Sequence, residues 1–183
     1  MSVTAAHGSN IRAHITVRPA MEQDAGHLIT LLRELAEETD LLDEFEMTEE
    51  LLRQHAFGKR PAIEFLCGYI DEELAGFAAF FHNYSTFHGK PCLYLEDIYV
   101  TPDKRRQGLG TRLIVEVLRI SVERGCPRVE GIVHHHNDKA KRFYKNLGAR
   151  SLKQWTLYRV NRKEVLEYLA RQGYSAGSTT GLG

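Results

Sequence analysis

Cysteine is scarce in this chain and long apolar runs are missing. Each shortage excludes certain classes of protein. The three cysteines, Cys67, Cys92 and Cys126, stand far apart and form no CxxC pair, so we expect reduced, buried thiols and no zinc or redox motif. No uncharged apolar run reaches the roughly eighteen residues of a membrane span, and the first residues lack the basic and apolar regions of a secretory signal. We therefore expect a soluble, cytoplasmic protein with no membrane partner.

The charges are balanced overall but unevenly distributed. The 183 residues carry 24 Lys and Arg against 24 Asp and Glu. Residues 1–100 hold 17 acids against 7 basic residues, whereas residues 101–163 hold 5 acids against 16. The basic part raises nucleic-acid binding as an alternative, but it lacks interleaved aromatic residues and a recognition-helix motif. We therefore expect no nucleic-acid partner.

Hydrophobic periodicity predicts one mixed domain of α+β class over residues 14–172, between a flexible arm at 1–13 and a disordered Gly/Ser-rich tail at 173–183. Two-residue alternation predicts strands, and three- to four-residue spacing with capping residues predicts helices between them. The predicted strands span residues 14–18, 63–70, 74–82, 93–100, 129–134 and 151–160.

A glycine-rich basic loop follows the strand that ends at Val100. It contains the pattern Arg105-x-x-Gly108-x-Gly110. Such a loop directs main-chain N–H groups and a helix N-terminus at one point, an arrangement typical of pyrophosphate sites. The Rossmann pattern would need a third glycine where Leu113 stands, and the P-loop's Gly-Lys-Ser/Thr is missing. Both nucleotide motifs are excluded.

Together with the motifs that accompany it, this pattern resembles the GNAT superfamily of N-acetyltransferases, and most closely its diamine (spermidine/spermine) acetyltransferases. The supporting motifs are Tyr94-Leu95-Glu96-Asp97 on the preceding strand, then Asn137 and Phe143-Tyr144-Lys145 further on. The resemblance implies a mixed, mostly antiparallel sheet that splays at its fourth strand, with helices on both faces. It also implies acetyl-CoA as co-substrate, no metal, and a homodimer.

The resemblance further implies which residues contact the cofactor. The alternative interpretation is a plain strand-to-helix turn with solvated arginines, and Asn137 as nothing more than a helix cap. The predicted cofactor-binding residues are Ile98, Tyr99, Val100, Arg105, Arg106, Gln107, Gly108, Leu109, Gly110, Thr111, Asn137 and Lys139. Backbone N–H groups among the first three would also polarise the acetyl carbonyl.

Tyr144 is the predicted general acid. In the family a tyrosine at the matching position lies near the thioester sulfur and protonates the departing thiolate. The alternative is a core position, because Ala140, Phe143 and Leu147 share its helical face.

Glu96 is the predicted base and also a predicted substrate contact. An amine with a pKa of about 10 arrives as an ammonium, so attack on a thioester needs a proton acceptor, direct or through water. Strand alternation predicts that the neighbouring Asp97 points to the opposite face as a structural acid.

The segment from Glu34 to Glu50 holds nine carboxylates and no Lys or Arg. Such a surface suits a cationic substrate, although a solvated helical face explains it equally well. The diamine enzymes have Tyr-Glu where this chain has Glu38-Thr39, so Glu38 is the displaced candidate for substrate binding. The run His134 to His136 alternates between strand faces and completes no metal-ligand set.

Together these observations predict an enzyme that transfers acetyl from acetyl-CoA directly to a primary amine of a small, polycationic molecule. One alternative keeps the chemistry but changes the acceptor to a thialysine-like side-chain amine or a protein amine. Another class of function, a non-catalytic module that senses acetyl-CoA, would bind the cofactor without releasing its thiol.

Overall fold

The computed structural model describes residues 13–174. Most of the predicted flexible arm and of the predicted tail lies outside the described residues. The chain divides into two compact units between Ile132 and Val133, and each unit is described by itself. Among the described residues, no helix is both long and apolar enough to cross a membrane.

The first unit contains a five-stranded mixed sheet. Neighbouring strands are antiparallel except for the last pair, which is parallel. The strands lie in the order of the sequence: β1 (Ile15–Pro19), β2 (Glu64–Ile70), β3 (Glu73–Ser85), β4 (Lys90–Val100) and β5 (Val129–Glu130). The predicted α+β class and mixed sheet are confirmed.

Local backbone chemistry fixes the β2–β3 hairpin and the close approach of β3 to β4. Asp71 and Glu72 both have positive φ, at 48° and 69°, which is the conformation of a two-residue type I′ turn. Gly76 lies so close to β4 that a Cβ there would be 2.4 Å from the Tyr99 carbonyl oxygen. The register of the central strands therefore depends on a glycine at this position.

Helices cover both faces of the sheet. Helix α1 (Ala25–Glu38), the short α2 (Glu49–Leu52) and the π turn after it cover one face, and α3 (Leu109–Glu123) covers the other. Thr48 caps α2 as predicted, because its side chain accepts a hydrogen bond from the Leu51 N–H at 3.2 Å. The buried core under α1 and α2 consists of Ala25, Leu28, Leu31, Leu52, Phe65, Cys67, Phe77, Ala79 and Tyr99.

Strand β4 extends well beyond its parallel partner. The pairing between β4 and β5 covers only Leu93 with Val129 and Tyr94 with Glu130. The predicted strand at 129–134 is therefore too long, because the ladder with β4 ends at Glu130. Gly131 still lies against β4, since a Cβ there would be 2.7 Å from the Leu95 carbonyl oxygen. Among the described residues, positions 95–100 of β4 pair with β3 alone, which is the pairing expected of a sheet that splays at its fourth strand.

The second unit contains α4 (Asp138–Asn146) and α5 (Arg162–Arg171). The predicted strand at 151–160 is wrong, since that segment contains a turn and no strand. Its apolar residues explain the error: Trp155 and Leu157 share one alternation, whereas Tyr158 and Val160 follow the other. No single apolar face results, and alternation alone does not specify a strand without a pairing partner.

An ion pair between the partly exposed Arg18 and the buried Asp24 ties β1 to the turn that precedes α1. Asp24 is only 6% exposed; its carboxylate accepts bonds of 2.6 and 2.8 Å from Arg18 and one of 2.7 Å from the Met21 N–H. The Arg18 guanidinium, with the Met21 N–H, lowers the pKa of Asp24 to about 2.

We predict that Asp24→Asn lowers the free energy of unfolding by about 2 kcal/mol at neutral pH. Because the folded pKa lies below the ordinary 3.8, this contribution is complete above that pH and is lost as pH falls towards 2. Urea unfolding at several pH values measures it. The exposed Asp43→Asn is the control, and equal stability of the two variants would contradict the prediction.

Candidate functional site

The glycine-rich loop has a backbone that exposes N–H groups. Arg106 and Gly108 adopt positive φ, at 64° and 101°, and α3 begins directly afterwards at Leu109. The first helical hydrogen bond runs from the Arg112 N–H to the Gly108 carbonyl at 3.0 Å. The N–H groups before Arg112 thus belong to the helix turn that has no intrahelical acceptors.

This loop fits the diphosphate of a nucleotide cofactor. A Cβ on Gly110 would meet only the Val100 side chain, at 3.8 Å, and one on Gly108 only that of Ile15, at 3.6 Å. Neither glycine is required by crowding from the protein itself. The space at Gly110 leaves main-chain N–H groups and the positive end of α3 accessible to an anion.

The Arg105 side chain is already engaged by protein groups. Its Nε donates to the Val100 carbonyl oxygen at 2.8 Å, and its two terminal nitrogens donate to the two carboxylate oxygens of Glu38. The guanidinium also lies 5.6 Å from the ring centre of Tyr99. The predicted cofactor residue Arg105 and the predicted substrate residue Glu38 are thus brought together as a bidentate ion pair.

A β-bulge interrupts β4 at Glu96. Ala79 pairs with Asp97 and the next residue of β3, Phe80, pairs with Leu95, so Glu96 is the extra residue. Phe80 lies on the α3 face, where the Arg124 guanidinium is 5.9 Å from its ring centre. Leu95 therefore faces α3.

The bulge corrects the predicted orientation of Asp97. Its partner Ala79 belongs to the core under α1 and α2, and cross-strand partners share a face. Regular alternation from Leu95 puts Glu96 on the same face. The two acids therefore lie side by side, and the prediction that Asp97 points to the opposite face is wrong because the bulge shifts the alternation by one residue.

Asp97 has the perturbed acidity that catalytic carboxylates need. Burial and then the neighbouring charge of Glu96 raise the pKa of Asp97 to about 6. A carboxyl group with this pKa is ionised at neutral pH but holds a proton far more readily than an ordinary aspartate. Sequence reasoning missed this residue because no residue pattern reveals the bulge.

The open edge of β4 offers two main-chain N–H groups. The Thr101 N–H donates to the Ala75 carbonyl at 2.9 Å, and hydrogen-bonded positions recur at every second residue of an antiparallel ladder. The Tyr99 N–H therefore points to β3. The N–H groups of Ile98 and Val100 point away from β3, in agreement with the Val100 carbonyl, which accepts from Arg105.

An acidic cleft lies beside Tyr99 on the face of α1. This cleft is wide open to solvent, has a volume of about 790 Å³ and is lined by Glu34, Glu37, Glu38, Glu73, Tyr99, Thr101, Pro102, Asp103 and Arg105. The Tyr99 hydroxyl donates to Glu34 at 3.2 Å. Burial, together with this carboxylate, raises the pKa of Tyr99 to about 12. Part of the acidic segment, Glu34, Glu37 and Glu38, therefore borders an open cleft while two of these carboxylates, Glu37 and Glu38, stay exposed to solvent.

The remaining predicted residues lie in the second unit. The Asn137 side chain caps α4 by accepting from the Ala140 N–H at 3.0 Å. Lys139 and Tyr144 lie on α4, where the Tyr144 ring centre is 5.3 Å from that of Phe143. The three histidines lie in the loop and turn before α4, and no group of three or more potential ligands in residues 13–174 could hold a metal.

Comparison with known proteins agrees with the resemblance to acetyltransferases. A sequence model of the Acetyltransferase (GNAT) family matches residues 28–149. The thialysine N-epsilon-acetyltransferase of Sus scrofa is 34% identical over 85% of this chain and 97% of its own length. The human spermidine/spermine N(1)-acetyltransferase-like protein 1 is 29% identical over 84% of this chain and 24% of its own length.

Solved structures agree on the fold. An integron cassette protein from the mobile metagenome of V. cholerae superimposes with a TM-score of 0.71 at 19% identity, over 86% of this chain and 98% of that protein. At this identity the likeness concerns the architecture alone.

Proposed function

This chain belongs to the GNAT acetyltransferase family, and on that premise we propose that it acetylates an aliphatic primary amine of a small cationic molecule, with acetyl-CoA as donor. The observation that carries the proposal is the juxtaposition, on one face of β4, of the bulged carboxylates Glu96 and Asp97 with the acidic cleft at Tyr99. Opposite charge in a cleft raises the local concentration of cations.

The two carboxylates are the proposed proton acceptors. An ammonium must lose a proton before its nitrogen can attack, and Glu96, directly or through water, receives it. Asp97, whose pKa is raised to about 6, lies next to Glu96 and is the second proposed acceptor. Residue Glu96 alone was predicted from the sequence; the bulge adds the second acid.

Cofactor binding is assigned to the loop and to the open edge of β4. When bound, acetyl-CoA supplies the acetyl group as a thioester. Main-chain N–H groups between Arg106 and Thr111 would hold its diphosphate, and those of Ile98 and Val100 would hydrogen-bond along the splay. Asn137 and Lys139 are further proposed contacts.

Tyr144 is the proposed general acid for the thiolate. A phenolic O–H is a chemically suitable proton donor for a departing thiolate. Direct transfer of the acetyl group needs the two carboxylates of β4 as proton acceptors and Tyr144 as proton donor. No covalent acyl-enzyme is part of the proposal.

Two classes of acceptor have separate support. The excess of carboxylates in the cleft favours a diamine or polyamine, which carries positive charge only. The likeness to a thialysine N-epsilon-acetyltransferase at 34% identity favours an amino acid whose side chain ends in a primary amine. Both present a flexible aliphatic ammonium to the same carboxylates.

A thiol-release assay with acetyl-CoA and spermidine, thialysine or ornithine tests the proposal. We expect saturable release of free CoA with one of these amines, together with the matching acetylated product in mass spectrometry. Binding of CoA without thiol release on any amine would instead support the non-catalytic sensing module.

Gly110→Ala should separate stability from cofactor binding. The new Cβ meets only ordinary van der Waals contact inside the protein, and alanine in the first turn of α3 favours the helix by up to about 1 kcal/mol. The same Cβ occupies space proposed for the diphosphate. We therefore expect an unchanged or higher Tm and CoA affinity reduced about tenfold by calorimetry. Gly26→Ala in α1, where the new Cβ also meets only ordinary van der Waals contacts, is the control and should keep wild-type CoA affinity. Unchanged affinity in Gly110→Ala would contradict the assignment.

A further inference from the structure

We infer that Glu38 competes with the cofactor's diphosphate for Arg105, so that cofactor binding releases a carboxylate into the acidic cleft. This inference rests on the proposed function. Arg105 belongs to the diphosphate loop, yet its two terminal nitrogens are bound by Glu38 from the end of α1. The ion pair thus joins a residue assigned to the cofactor with a residue assigned to the amine.

The ion pair is built to exchange partners. The side chains of Arg105 and Glu38 are 34% and 45% exposed, and solvent screening keeps the net strength of such exposed ion pairs small. A phosphate offers the same bidentate geometry with more charge. The Nε bond to Val100 and the Tyr99 ring hold the stem of Arg105 while the terminal nitrogens change partner.

Glu38 has little else to hold it in place. It is the last residue of α1, where the negative end of the helix dipole disfavours a carboxylate. Arg105 is the only cation among the described residues that line the cleft. Glu73 pairs with Lys104 at 2.7 Å, and the other lining carboxylates are Glu34, Glu37, Glu38 and Asp103. Once phosphate neutralises Arg105, the cleft gains one uncompensated negative charge.

The consequence is positive coupling between the two substrates. A cationic amine binds more strongly to the cleft when the cofactor is present, and by linkage the cofactor binds more strongly when the amine is present. Without the cofactor, Arg105 both repels the amine and occupies one of its carboxylate partners. This coupling favours an order of binding in which the cofactor binds before the amine.

Calorimetric titration with CoA alone tests the competition. Glu38→Gln should bind CoA about three- to tenfold more tightly than the wild type, because Arg105 loses its internal partner. Glu37→Gln is the matched control, since it removes the same charge from the neighbouring residue of the same helix and cavity. It should bind CoA within about twofold of the wild type.

Equal affinity of these two variants would overturn the inference, because long-range electrostatics alone predicts equal gains. If the wild-type protein does not bind CoA at all, the proposed function itself is refuted. Glu38→Ala should reproduce the gain of Glu38→Gln, and thermal melting checks that all variants fold. Spermidine should raise the CoA affinity of the wild type by a larger factor than that of Glu38→Gln, and identical factors would again contradict the coupling.

Discussion

Tyr144→Phe should lower kcat about 10²- to 10⁴-fold, the range expected for loss of a general acid. The substitution removes the hydroxyl but keeps the ring that contacts Phe143, and the α4 backbone bonds remain. A loss of turnover with intact folding and intact CoA affinity would therefore belong to the hydroxyl. Thiol release at saturating amine measures kcat, and calorimetry measures CoA affinity.

Tyr168→Phe is the control for this prediction, because Tyr168 lies on α5 of the same unit and has no assigned role. It should keep wild-type turnover. If Tyr144→Phe keeps the wild-type kcat, Tyr144 is not the general acid. If the variant loses both kcat and its folded state, the side chain of Tyr144 acts in packing.

The second large effect concerns the bulged carboxylates. Glu96→Gln and Asp97→Asn should each lower kcat/KM by about 10²-fold or more. The pH profiles should differ between the variants. An acceptor must be ionised, so wild-type activity should fall as pH drops through about 6, the pKa of Asp97. In Glu96→Gln the negative charge beside Asp97 is gone, so the pKa of Asp97 falls. The pH at which activity declines should therefore be lower in Glu96→Gln than in the wild type.

Stability provides an independent readout for Asp97. Its folded pKa lies above the ordinary 3.8, so ionisation costs the fold stability as pH rises from about 4 through 6. Asp97→Asn should therefore raise the free energy of unfolding by about 2 kcal/mol at neutral pH while activity falls. An inactive variant that is also less stable would indicate a structural acid, as sequence alternation predicted.

The fold was largely predictable because its signals are local. Two-residue alternation marked the four long strands, and Thr48 and Asn137 marked helix starts. The strand predicted at 151–160 failed for a physical reason, since its apolar residues change parity between Leu157 and Tyr158. Periodicity predicts an element only where one face is consistently apolar.

The site was predictable only in part. The loop pattern Arg105-x-x-Gly108-x-Gly110 is a local signal, and the structure gives it an open helix N-terminus. The orientation of Asp97 depends on a bulge, which arises from the pairing of two strands and leaves no mark in one of them. The pairing of Arg105 with Glu38 joins residues 67 positions apart, and only the tertiary structure reveals it.

The most direct test is a crystal structure with a bisubstrate analogue, in which the acceptor amine is joined to CoA through an acetyl linker. We expect the diphosphate on the N–H groups between Arg106 and Thr111 and the acceptor nitrogen within hydrogen-bonding distance of Glu96 or Asp97. An acceptor nitrogen on the α3 face of β4, away from both carboxylates, would contradict it.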